Sequence, residues 1–360
     1  MMKYTSITPG KVWLDTEGKR VHAHGGSVFY EAGTYYWYGE NKEHTDGKNG
    51  IRHWGMRCYA SKDLYNWEDK GLIIPPVCDN ENSTLHPKSK AERPHIIFNR
   101  KTQKYVCWIK VMFADGTQRS TVLQADRFLG PYEVMRERVL PLGMSAGDFD
   151  LQVDQTTGKA YYIFEKVHTE TIVAELTGDY LDVSGYYTEH FKNGYPPYVR
   201  EATSHFIRNG KHYLLTSGTT GYYPNPSELA MAEDWHGPYK ILGNPHPQDT
   251  SNTSFYSQVS SIFQVAGKKD LYIACADRWL PDQMFLPYDM YAEWFEKSYN
   301  PASLETADWG PISKMLEEHG VEQLEQANTS ISDYVWLPLR FDGEMGYLDW
   351  KDEWRLEDYD

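Results

Sequence analysis

The sequence predicts an all-β fold: a five-bladed β-propeller with a partly helical insertion in the last blade. Three observations carry this prediction. Aromatic residues make up 15% of the chain, with 28 Tyr and 12 Trp, and such side chains favour strands. A hairpin-like layout, in which a polar residue leads an apolar run, a turn and a second apolar or aromatic run, occurs five times. Its period of roughly 50 to 60 residues holds about four strands, which is the size of a propeller blade.

The first unit is HGGSVFYEAGTYYWYGE from His24, and the second is ERPHIIFNRKTQKYVCWIK from Glu92. The third, DFDLQVDQTTGKAYYIFEK, starts at Asp148. In the fourth, led by Glu201, the runs SHFI and HYLLTSG flank Asn209-Gly210, a pair that readily takes positive φ at both turn positions. The fifth is QVSSIFQVAGKKDLYIACADRW from Gln258. Outer halves repeat too: LGPYEV (129–134) and HGPYKI (236–241) are alike, and DLYNWEDKG (63–71) holds the same place in the first unit. The repetition makes residues 1–360 one propeller domain, with blades starting near 24, 92, 148, 201 and 258. The N-terminal ITPGKVWLDT is expected to add an outer strand to the last blade and close the circle. An insertion of about 283–332 separates Asp277-Arg278-Trp279 from YVWLPLRFDG. Within it, PISKMLEEHGVEQLEQ (311–326) has helical apolar spacing at Ile312, Met315, Leu316, Val321 and Leu324. Packed decoration is its simplest reading; a lid and an oligomer contact are the others.

Composition narrows the function. Hydrophobic content of 40% and charged content of 24% fit a soluble globular chain. A net charge of −15 gives no electrostatic reason to hold nucleic acid or anionic lipid. No apolar run approaches the roughly 20 residues of a membrane span. The N-terminal MMKYTSITPGKVW lacks the apolar region of a signal peptide, so a cytoplasmic location is expected, a trimmed secreted form being the alternative. Cys58, Cys78, Cys107 and Cys275 show no metal-ligand spacing, and three lie in apolar runs that suit buried thiols. The oligomeric state is not legible.

In a propeller the innermost strands run along the central axis and their starts converge at one mouth. His24, Glu92, Asp148, Glu201 and Gln258 therefore become neighbours in a central funnel. Such heads can simply plug the channel with hydrogen bonds. Carboxylates converging in an aromatic-lined pocket also suit glycoside hydrolysis, where one acid protonates the leaving oxygen and a second group positions water. Neighbouring carboxylates raise one another's pKa, which keeps one protonated near neutral pH. Glu40, in YWYGEN, adds another acid, and Arg93 and Arg200 stand beside two of the heads.

HAHGGSVFYEAGTYYWYGEN, ERPHIIFN, REATSHFIRNGKHYLLTSGTTGYYPN, SQVSSIF and DRW followed by YVWLPLRFDG together resemble a glycoside hydrolase of family 43. The likeness covers nearly the whole chain and is greatest to the exo-β-1,3-galactanase branch. It implies an inverting enzyme that cleaves galactosyl linkages in plant-type oligosaccharides without a cofactor; a structural ion in the channel stays open. By this resemblance Glu201 matches the general acid, and Glu92 the carboxylate that orients substrate and tunes the acid. The family's usual base, an Asp heading the first inner strand, is replaced here by His22-Ala23-His24-Gly25-Gly26. The galactanase branch shares that absence and is similar in placing a Gln beside the attacking water, which matches Gln258. Glu40 and Asp148 match sugar-hydroxyl ligands, and His24, Tyr38, Tyr222, Arg278 and Trp279 are expected to bind substrate as well. Three other readings stand beside this one. They are a family-43 α-L-arabinofuranosidase or β-xylosidase, a non-catalytic carbohydrate-binding propeller, and a metal-dependent hydrolase using His22 and His24, which point the same way on a strand.

Overall fold

The computed structural model describes residues 3–284, 288–302 and 327–360, together with Lys314, Glu317 and Glu318. Five four-stranded antiparallel sheets form the five blades. Blade one comprises β1 (His24–Glu31), β2 (Thr34–Glu40), β3 (Met56–Ser61) and β4 (Glu68–Ile74). Blade two comprises β5 (Lys90–Asn99), β6 (Lys104–Met112), β7 (Gln118–Ala125) and β8 (Glu133–Val139). In blade three these are β9 (Ala146–Val153), β10 (Ala160–Lys166), β11 (Glu170–Leu176) and β12 (Val183–His190). Blade four has β13 (Arg200–Arg208), β14 (Lys211–Gly218), β15 (Glu228–Ala232) and β16 (Lys240–Gly243). Blade five has β17 (Gln258–Gln264), β18 (Tyr272–Arg278), β19 (Asp333–Asp342) and β20 (Met345–Leu348). The innermost strands β1, β5, β9, β13 and β17 neighbour one another in chain order, and β17 returns to β1.

Aromatic and branched residues on the blade faces interlock between neighbouring sheets and form the core. At the junction of blades one and five, Trp13, Trp37, Trp67 and Trp336 nest with centroid separations of 4.5 to 6.0 Å. The expected closing strand does not form. All four strands of blade five come from residues 258–348, and the N-terminal segment makes, among the described residues, only two isolated bridges, Ile7 to Trp354 and, locally, Leu14 to Arg20. Pro9 has no N–H to continue a ladder, and Gly10, at φ 72°, turns the chain so that its N–H reaches the Tyr334 carbonyl at 2.7 Å. The seam is thus closed by a few backbone hydrogen bonds and by side chains, with Trp13 as the wedge.

The insertion contributes one described helix, α1 (Tyr288–Tyr299). The stretch 311–326 and its five spaced apolar residues lie outside the described residues.

A recurrent irregularity sets up the mouth. The register of β1, β5 and β13 skips just after the leading residue: between His24 and Ser27, Glu92 and His95, and Glu201 and Ser204. The next residue sits at positive φ each time: Gly25 at 60°, Arg93 at 51° and Ala202 at 52°. Such a bulge bends the strand and re-aims the side chain before it.

Candidate active site

A cavity of about 330 Å³ opens at the mouth, a size typical of small-molecule sites. Glu92, Asp148, Glu201 and Gln258, from four inner strands, all line it, as do Glu40 from the end of β2, Tyr222 and Trp279. Three predicted ligands do not. His24 is fully buried, because the bulge turns its ring into the seam, where Nδ1 lies 2.9 Å from Asp277 and Nε2 lies 3.2 Å from the Tyr334 hydroxyl. Both ring nitrogens are therefore engaged. Among the described residues, no group of three His, Cys, Asp or Glu side chains is arranged to hold a metal ion. Tyr38 sits two residues below Glu40 on the same strand face, one pleat deeper; its hydroxyl accepts the Ile96 N–H at 2.8 Å within the core between blades one and two. Arg278 points away from its neighbours Asp277 and Trp279, as alternate strand residues do. It donates to the Phe255 carbonyl at 2.8 Å and lies over Trp350.

Hairpin register places a second polar residue opposite four of the leading residues. Glu40 faces His24, Lys110 faces Glu92, Ser217 faces Glu201, and Asp277 faces Gln258. Lys110 bridges two carboxylates, at 2.8 Å from Glu92 and 2.7 Å from Asp148. Arg93 Nε binds the other Asp148 oxygen at 2.9 Å, and its backbone N–H donates to Glu40 at 2.9 Å. Lys42 pairs with Glu40 at 2.7 Å. Gln258 joins the two sides. Its amide donates to Glu201 Oε1 and to Ser217 Oγ, both at 3.0 Å, while its carbonyl accepts from Arg93 at 2.6 Å and from Trp279 at 3.2 Å. All four of its hydrogen-bonding positions are filled.

These contacts separate the carboxylates electrostatically. Burial raises the Glu201 pKa well above the usual range, and the nearby charges of Asp148 and Glu165 raise it further, beyond what Lys110 and Arg93 offset. Burial would also raise Asp148, but Arg93 and Lys110 outweigh it and hold the group at about 2. Glu92 is likewise held below its ordinary value, since Lys110 and Lys42 outweigh its burial. Glu40 lies between these cases: burial, with Glu92 beside it, raises it in spite of Lys42. One acid is kept neutral beside two that are kept ionised, which is how environments divide acid from base roles between carboxyl groups.

Sequence reasoning missed other lining residues, notably Lys42, Lys110, Gln118, His168, Phe295 and Tyr299. His168 follows β10 and pairs with the buried Glu165 at 2.6 Å. Burial works against its charge, but Glu165 more than compensates and lifts its pKa. Phe295 and Tyr299 belong to α1.

The profile of the glycosyl hydrolases family 43 matches residues 20–282. The chain belongs to that family. Solved structures of family-43 enzymes share its architecture throughout. The β-1,3-galactosidase BT0265 is 29% identical at a TM-score of 0.79, over 99% of this chain and 65% of that one. The β-1,3-galactosidase BT3683, solved with galactodeoxynojirimycin, is 27% identical at 0.76, over 97% of this chain and 100% of that one. An exo-β-1,3-galactanase from Clostridium thermocellum is 25% identical at 0.71, over 97% of this chain and 66% of that one. The chain therefore spans slightly less than two thirds of the first and third of these proteins, and the whole of the second. The comparison with curated proteins found no match.

Proposed function

We propose that this family-43 protein is an inverting exo-acting glycosidase that releases β-1,3-linked galactose from the ends of oligosaccharides. The observation that carries the mechanism is the contrast around one cavity between Glu201, whose pKa burial and nearby carboxylates raise, and Glu92 and Asp148, which Lys110, Lys42 and Arg93 hold low. Glu201 protonates the glycosidic oxygen as the bond breaks, and water attacks the opposite face of the sugar. Glu92 and Asp148, fixed by Lys110 and Arg93, accept hydrogen bonds from ring hydroxyls. Gln258 acts by position. Its filled hydrogen bonds hold the acid, and it orders the water by exchanging one of them. An amide takes no proton, so a carboxylate must receive it. Glu40, with its raised pKa, is the better matched acceptor, and Asp148, held at about 2, the poorer. The choice of galactose rests on the two β-1,3-galactosidases above.

The test combines product analysis on a panel of galactosyl, arabinosyl and xylosyl oligosaccharides with the Glu201→Gln variant. The wild type should release galactose, with the α-anomer appearing first by NMR. Glu201→Gln should lose roughly 10²–10⁴ in rate on unactivated substrates, the worth of a general acid. First-formed β-galactose, or release of arabinose or xylose instead, would refute the proposal.

A further inference from the structure

Helix α1 crosses from blade five to the far side of the mouth. Tyr291 docks on the loop after β14 through a hydrogen bond to the Pro224 carbonyl. Glu296 accepts from the Tyr198 hydroxyl at 2.8 Å, in the segment leading to Glu201. At its C-terminal end, the Tyr299 ring stacks parallel to Phe295 (6.2 Å, 7°) and meets the edge of His168 of blade three at 6.1 Å. The helix therefore straps blade four, which carries the acid, and ends against blade three. Phe295 and Tyr299 both line the cavity, and Tyr299 remains 45% exposed.

The polar side of this wall is also built. His168 is fixed by Glu165, whose other oxygen lies over Gly147, where a Cβ would approach to 2.0 Å. The Val167 N–H donates to the Ser145 carbonyl at 3.1 Å, and Ser145 Oγ accepts the Gln118 N–H at 2.9 Å. Gln118 thus stands next to His168 in the cavity wall. It is only 6% exposed, and its side-chain carbonyl has no hydrogen-bond partner. A buried carbonyl without a donor is costly, and a hydroxyl-bearing ligand removes that cost.

We infer that α1 and the β10–β11 turn form the leaving-group subsite, in which Tyr299 packs on the apolar face of a neutral pyranose whose hydroxyl donates to Gln118. The acid must meet the leaving oxygen, so the leaving sugar lies on the Glu201 side of the cavity, and α1 is tied to that side through Tyr198 in the segment leading to Glu201. Aromatic rings with a polar edge suit such a ligand. The inference rests on the glycosidase reading and deepens it. A strap that closes this side limits the leaving group to what fits beneath the helix.

The test compares two substrates in wild type, Tyr299→Ala and Tyr299→Phe: β-1,3-galactobiose and β-galactosyl fluoride, whose leaving group is too small to reach the wall. Tyr299→Ala should lower kcat/KM on the disaccharide roughly tenfold, chiefly through KM, and leave the fluoride unchanged. Tyr299→Phe, which keeps the ring, should retain most of the disaccharide activity. Gln118→Leu should show the same selectivity as Tyr299→Ala. Equal losses on both substrates, or no loss on the disaccharide, would overturn the subsite. Failure of the underlying reading shows differently, as wild-type protein that releases galactose from neither substrate.

Discussion

Lys110→Met tests the electrostatic division on which the proposed chemistry depends. Methionine keeps the unbranched stem of lysine as far as Cε and removes the ammonium group, its charge and its donors together. Lys110 lies 2.8 Å from Glu92 and 2.7 Å from Asp148. A charge pair at that distance carries about 6 kcal/mol at an effective dielectric constant near 20. Removing one partner of a buried pair costs about 3–5 kcal/mol net, since the lysine's own desolvation also disappears. The two carboxylates do not suffer equally. Asp148 keeps Arg93 at 2.9 Å, whereas Glu92 is left with Lys42, which is itself paired to Glu40. Glu92 should therefore take most of the change, its pKa rising by about one to three units. Its folded pKa is depressed in the wild type, so it contributes stability above its unfolded value near pH 4.3 that is lost as pH falls. The variant should lose that contribution. For 360 residues, at about 2.1 cal/mol/K of unfolding entropy each, the loss corresponds to a fall in Tm of roughly 4–7 °C at neutral pH. The acid limb of kcat/KM should move up by about one to three pH units. Calorimetry and a pH–rate profile measure both. A lowered Tm with an unmoved acid limb would refute the argument, because Glu92 would then not need to be ionised for turnover.

Three further variants probe the buried polar groups. Gln258→Ala frees Glu201, Arg93 and Trp279 together, so kcat should fall strongly with little change in KM, while Glu40→Gln should be rescued by azide if Glu40 takes the proton from water; unchanged kcat in Gln258→Ala would remove Gln258 from the mechanism. Asp150, buried and bonded by the His205 N–H at 2.7 Å, is pushed up to about 7 by burial. This folded value exceeds the unfolded one, so its stabilisation is complete below roughly pH 4 and disappears as pH rises through about 7. Asp277, pushed up to about 7 by burial, and the raised Glu201 and Glu40 behave the same way, so Asp150→Asn should reduce but not abolish the decline of denaturant stability between pH 5 and 8; an undiminished slope would count against a protonated Asp150.

Much of this architecture is legible in one sequence because each blade repeats the same local pattern. Leading residues, apolar runs and the Asn209-Gly210 turn place the inner hairpins, and four of five leading residues reach the cavity. Lys110, Ser217 and Asp277 were not within reach: counting outward from each turn pairs Glu92, Glu201 and Gln258 with Val111, Gly218 and Arg278, one residue off, because each bulge shifts the register. His24 misled because its orientation depends on a bulge, which moves a side chain without altering the hydrophobic pattern. The closing strand was overestimated for a related reason, since Pro9 and Gly10 break a ladder that the surrounding apolar residues suggest. His168 gave no local signal, because a turn residue acquires its role only from the neighbouring blade. In α1, by contrast, Tyr291, Phe295 and Tyr299 recur every four residues, a visible helical stripe upstream of the segment first suspected.

The bulges at the mouth bear on how such a protein changes over time. All five inner hairpins carry a register irregularity near this end. A ring grown by duplicating one ancestral unit inherits the kink with the strand, so every copy receives an aiming device before it acquires a chemical group. What each copy aims then differs by a single codon: Glu, Asp or Gln. Blade one shows that the assignment can also cross the turn. There Gly25 has no side chain, and Glu40 Oε1 lies 2.5 Å from where its Cβ would be; the inner strand has ceded the position to its partner. The reactive surface can thus be rewritten one blade at a time while the packing between blades stays as it was.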